Sequence, residues 1–156
     1  MNNYRIFVEK KKEFQIEAKS LIEDFNVNLN ENIKGLRLIH IYDVFNIDTN
    51  LLEKAVATVF SEVVTDNVYY SFDLNDQQYI AVEYLPGQFD QTADSAMQLI
   101  SLIDTSSKVI VKSGTLLLFD GEVNLNKIKD YYINPIEARE KDLHTLSYSD
   151  NAIPLP

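Results

Sequence analysis

Cysteine is absent from this chain of 156 residues. That removes disulfides, thiolate-ligated zinc, iron–sulfur clusters and any thiol nucleophile in one step. The lack fits a reducing cytoplasm, which is the expected location. Tryptophan is absent too, and histidine is nearly so, with only His40 and His144. A serine triad needs a histidine beside Ser and Asp, and a histidine-built metal site needs several. His40 alternates with apolar residues and reads as a packed or half-buried strand histidine; His144 lies in a polar tail. The four glycines, Gly35, Gly87, Gly114 and Gly121, are scattered, so no phosphate-cradling loop is written here. No run approaches the ~18 apolar residues that a membrane span needs. The start, Met1 to Arg5, lacks the basic flank and apolar stretch of a signal peptide.

Positive charge is scarce as well. The formal net charge is -10. A surface of this sign repels phosphate backbones, so nucleic acid is not an expected partner, and neither is a membrane. The one basic cluster, Lys10-Lys11-Lys12, is bracketed by Glu9 and Glu13 and reads as a solvated turn.

What is plentiful is apolar bulk. Hydrophobic residues make up 46%, with nine Tyr and eight Phe, enough for a core. Tyr4 to Glu9 reads as a strand. Phe14, Ala18, Leu21, Ile22 and Phe25 recur at helical spacing. Leu36 to Phe45, entered at Gly35, is the strongest strand signal. Asn50 with Glu53 predicts a capped helix whose stripe is Leu52, Ala55, Val56, Val59 and Phe60. The connector 61–78 is expected to be partly extended.

The order then recurs. Tyr79 to Tyr84 reads as a strand, Pro86-Gly87 as a turn, and Asp90 as the cap of a helix carrying Ala93, Ala96, Met97, Ile100 and Ile103. Lys108 to Phe119 reads as a strand with a bend or bulge at Gly114. Asn124 is expected to cap a last helix, Leu125 to Tyr132. An offset of 74 or 75 lays Val8 on Val82, Phe14 on Phe89, Ala18 on Ala93 and Asn50 on Asn124. This spacing predicts an internal duplication, with pseudo-repeats at about 4–60 and 79–133. The expected fold is α+β: a duplicated strand-helix-strand-helix unit forming a pseudo-twofold pair, with mainly antiparallel sheets and helices on one face. Residues 1–143 form the expected domain. Residues 144–156, with Pro154 and Pro156, read as the start of a flexible linker.

Chemistry is harder to find. Among the 24 acidic residues, Glu62, Asp66, Asp90 and Asp94 are candidates for acid–base work or magnesium, but no spacing selects a pair. The most distinctive stretch is Pro86, Gly87, Gln88, Phe89, Asp90 and Gln91. A turn presenting polar groups at a helix N-terminus suits an anion or a partner loop, but the residues alone favour a plain strand-to-helix turn with a capping Asp.

Several segments resemble one known family in order: Arg5 to Lys11, Tyr42 to Phe45, Val59 to Asp66, Leu85 to Gln91 followed by Ala93 to Ala96, and Asn134 to Glu140. They are similar to the N-terminal domain of the large, single-chain phosphoribosylformylglycinamidine synthase, and cover nearly all of 4–140. The resemblance implies a non-catalytic assembly domain of a glutamine- and ATP-dependent ligase of purine biosynthesis, similar to a fused dimer of the small accessory subunit of the multi-subunit enzyme. It implies no cofactor in this chain, with ATP and magnesium held by the synthase region. The implied partners are the synthase and glutaminase domains, which Pro86 to Gln91 would approach; isolated, the domain is expected to self-associate. Thr92 stands where many members carry Arg, which weakens the case for substrate contact by this loop. The alternative is a stand-alone metabolite-binding or regulatory ferredoxin-like module.

Overall fold

The computed structural model describes residues 1–146. Its strands are β1 (Asn2–Lys10), β2 (Gly35–Ile47), β3 (Asp66–Tyr69), β4 (Tyr79–Tyr84), β5 (Ile110–Asp120) and β6 (Ala138–Glu140). Its helices are α1 (Ile16–Leu29), α2 (Thr49–Ala55), α3 (Gln91–Ile103) and α4 (Leu125–Tyr132). A 3-10 turn, Lys12–Phe14, precedes α1, and a wide turn, Val56–Phe60, prolongs α2. The protein is therefore α+β, as its alternating periodicities require.

All six strands join one antiparallel sheet in the order β3-β1-β2-β5-β4-β6. The order of elements is the same on either side of the β2–β5 pair. That pair runs without a break from Gly35 opposite Asp120 to Phe45 opposite Ile110. The antiparallel strands expected of the two halves are joined into a single sheet through the β2–β5 ladder. Gly114 is not a bulge either, since the β2 ladder passes through it in register and the β4 ladder reaches it in register. Its lack of a side chain answers a different need. A Cβ there would lie 2.9 Å from the Val82 carbonyl oxygen and 2.9 Å from the Lys141 side chain.

Alternation along the strands separates two faces. Ile6, Val8, Val44 and Val111 pack with Leu52, Phe60, Ala93 and Ile100 of α2, its wide turn and α3. Leu36, Leu38, Ile80, Leu117 and Phe119 pack with Phe25 and Ile128 of α1 and α4. All four helices therefore lie on one face, in two pairs. The opposite face carries Phe7, Ile39, Ile41, Leu116 and Leu118, partly covered by Phe72, Leu74 and Leu143.

Two local expectations need correction. The cap of α2 is Asp48, whose Oδ1 accepts the Leu51 N–H at 2.8 Å; Asn50 lies inside the helix. The stretch Ala138–Glu140, to which the sequence assigned no element, is the edge strand β6. Of the linker expected over 144–156, residues 147–156 lie outside the described residues.

Candidate functional site

The strand β4 ends at Tyr84, and the chain must reverse to start α3. The Leu85 N–H donates to the Glu137 carbonyl at 2.9 Å, and the Gln88 N–H donates back to the Leu85 carbonyl at 3.0 Å. Pro86 sets the first corner of this turn, and Gly87 takes the second with φ +89°, a conformation costly for any other residue. Gln88, Phe89 and Gln91 are exposed, Phe89 to 69%. Beneath them lies an open cavity of about 360 Å³, lined by Leu85, Phe89, Met97, Val111 and Lys112 among others.

Asp90 holds the turn in place. Its Oδ1 accepts the Ala93 N–H at 3.0 Å, which caps α3, and the Ser113 hydroxyl at 2.7 Å. Its Oδ2 accepts the Ser113 N–H at 2.8 Å. The carboxylate is therefore occupied, and it fixes the loop to β5 just beyond the end of β4. The six loop residues divide in function: Pro86, Gly87 and Asp90 shape the turn, while Gln88, Phe89 and Gln91 face outward.

Of the other candidate carboxylates, Glu62 and Asp66 flank the Thr65 hydroxyl, which lies 3.4 and 3.3 Å from them. Asp66 accepts the Glu62 N–H at 2.8 Å and pairs with Lys10 at 2.9 Å. Burial pushes its carboxyl up, but the Glu62 N–H and the Lys10 ammonium bring it below the usual range. Asp94 accepts from the Gln98 amide one turn along α3. In the basic cluster, Lys11 donates to the Val63 carbonyl at 3.2 Å, so Lys10 and Lys11 both serve the turn before β3. His40 is half-buried, with Nε2 3.6 Å from Glu17; His144 is exposed. Among the described residues, no group of three or more His, Asp or Glu side chains gathers as a metal site. No helix in the described residues is long and apolar enough to cross a membrane.

An ionic cluster on the helix-free face was not anticipated. Lys141 is buried, and its Nζ bridges Asp43 at 2.6 Å and Glu83 at 3.0 Å. Arg5 grips Asp43 with two bonds of 2.7 and 3.0 Å, and Arg139 donates to Glu83 at 2.8 Å. Burial pushes Glu83 up, but Lys141, then Arg139 and Lys112, hold it below its ordinary value. Lys112 is pushed down by burial. Further along the same face, beyond Phe7 and Ile41, Arg37 grips buried Glu9 at 2.7 and 2.8 Å and lies 4.9 Å over the Phe72 ring. The signal was present in the sequence: Asp43, Glu83 and Glu9 interrupt otherwise apolar strands.

No family model, curated protein or solved structure matches this chain.

Proposed function

We propose that this chain is the non-catalytic N-terminal assembly domain of phosphoribosylformylglycinamidine synthase, the glutamine- and ATP-dependent ligase that converts formylglycinamide ribonucleotide into its amidine in purine biosynthesis. In this reading the domain acts in the cytoplasm, packs on the synthase and glutaminase regions, and is inactive alone. ATP and magnesium bind the synthase region.

The observation that supports this most is the sheet order. Two sets of three strands meet at β2–β5, each set with its helices on the same face. A dimer of small subunits fused into one chain, and duplicated in origin, has this layout. The run of motifs supports it independently, and the loop from Pro86 to Gln91 is suited to contact, since Phe89 stands out on a frame fixed by Asp90. A stand-alone metabolite-binding or regulatory module is the second reading, favoured by the open trough described below.

The test is to express this chain separately from the synthase and glutaminase polypeptide and combine them. The expected result is a stable complex, with glutamine- and ATP-dependent amidine formation restored, and binding weakened at least tenfold by Phe89→Ala, about 1.4 kcal/mol or more. No complex and unchanged activity would overturn the reading.

A further inference from the structure

The two helix pairs leave a trough between them on the helix-covered face. Its floor is formed where side chains of the central strands reach the surface: His40 and Tyr42 of β2, Ser113 and Thr115 of β5, and Val82 and Tyr84 of β4. Thr92, in the first turn of α3, and Tyr132, in the last turn of α4, form its walls. The hollow measures about 320 Å³, and His40 and Tyr42 also line a neighbouring hollow of about 340 Å³ towards β3. Either lies within the range of small-molecule sites, roughly 300–1,000 Å³.

Polar groups in this trough have few partners in the protein. The hydroxyls of Tyr42, Tyr84, Tyr132, Thr92 and Thr115 make no side-chain hydrogen bond to another described residue. Tyr42 and Tyr132 are half-buried, and burial pushes both phenols above their ordinary value, so each stays a neutral donor at physiological pH. This is unlike the rest of the helix face, where the strands contribute aliphatic and aromatic side chains to closed clusters. In β5 the change is written in the sequence: Ser113, Gly114 and Thr115 interrupt a strand of apolar residues.

Charge narrows the ligand. Among the described residues, no Lys or Arg lines the hollow between the helix pairs. Lys10, which lines the neighbouring hollow, pairs with Asp66 at 2.9 Å. His40 faces Glu17, and Glu137 stands on the rim. A phosphate or carboxylate would meet no free cation there, on a protein of net charge -10. Phenol rings interleaved with hydroxyls instead suit a flat molecule that is apolar on its faces and carries donors and acceptors on its edge.

We infer that the trough between the helix pairs binds a small uncharged heteroaromatic molecule of the nucleoside class, held by the hydroxyls of Thr115 and Tyr84 and the rings of Tyr84 and Tyr132. This site includes no residue of the loop at Pro86 to Gln91, although it shares Tyr84 and Ser113 with the cavity beneath that loop, and it does not depend on the assembly role.

The experiment is a calorimetric titration of the whole chain with adenosine, guanosine, cytidine and uridine, and with their 5′-monophosphates. At least one nucleoside should bind with a Kd below ~1 mM. Its monophosphate should bind at least tenfold more weakly. Thr115→Val and Tyr84→Phe, both close to isosteric, should each weaken binding roughly threefold to tenfold while leaving the unfolding temperature unchanged. Absence of heat with every nucleoside at millimolar concentration would overturn the proposal. So would monophosphates binding as tightly as nucleosides, or both variants binding like the parent chain.

Discussion

On the helix-covered face of the sheet, Phe25, Phe119, Leu117 and Ile128 are wholly enclosed by other apolar side chains. On the opposite face, a few strands away, Lys141, Asp43 and Glu83 are enclosed by one another and by Arg5 and Arg139. The first arrangement is stabilised by keeping apolar area from water, which neither salt nor acid much alters. The second depends on each buried charge keeping its partner, since desolvating either ion alone is unfavourable. One sheet therefore has a face tolerant of solution conditions and a face sensitive to them.

The largest effect should come from emptying the tolerant face. Phe25→Ala removes a fully buried ring flanked edge-on by Tyr132 at 5.9 Å, and should cost about 4 kcal/mol in denaturant unfolding, with little dependence on salt. Next, Lys141→Met leaves buried Asp43 and half-buried Glu83 with one fewer cation. It should cost about 3 kcal/mol, below the upper range for a broken buried pair because Arg5 and Arg139 remain. Equal losses at high and low pH in that variant would show that the face is held by packing after all. Third, Asp90→Ala removes the α3 cap and both bonds to Ser113, and should cost about 2 kcal/mol. It should also speed amide exchange at Ser113.

The smallest effect is that of pH. Glu83 is held below its ordinary value of 4.5 in the fold, so its contribution is present above pH 4.5 and is lost as pH falls through the lowered value. Stability should decline on acidification below pH 4.5, and Lys141→Met should make that decline shallower, because much of the lowering comes from Lys141. A steeper decline in the variant would reverse the assignment. Phe25→Ala should leave the slope unchanged.

These contrasts also explain what the sequence disclosed. Elements with a strong period were readable almost to the residue: β4, α4 and the caps Asp90 and Asn124 each depend on local spacing. Asp48 was passed over for Asn50 because both stand close to the start of α2 and both can cap. The strand β6 escaped because three residues, Ala138, Arg139 and Glu140, carry no period. What makes them a strand is the free edge of β4 and the partner that Glu83 offers Arg139. Gly114 was misread for the same reason, since its neighbour Lys141 lies far along the chain. The loop at Pro86 to Gln91 was visible as a motif. The trough was not, because its floor is assembled from three strands and its walls from two helices.

The pairing at the centre of the sheet bears on how the chain is made. β2 ends at Ile47, and its partner β5 begins only at Ile110. During synthesis the longest strand of the described residues waits, one edge bare, while the chain more than doubles in length. Its ladder is non-local, which slows folding relative to a helical bundle of the same size. Over that interval the nearest match for the bare edge of β2 is β2 of another nascent chain, running antiparallel as β5 later does. A chain stalled after its first half would therefore be held in a twofold pair with its own copy, and completing the second half would release it.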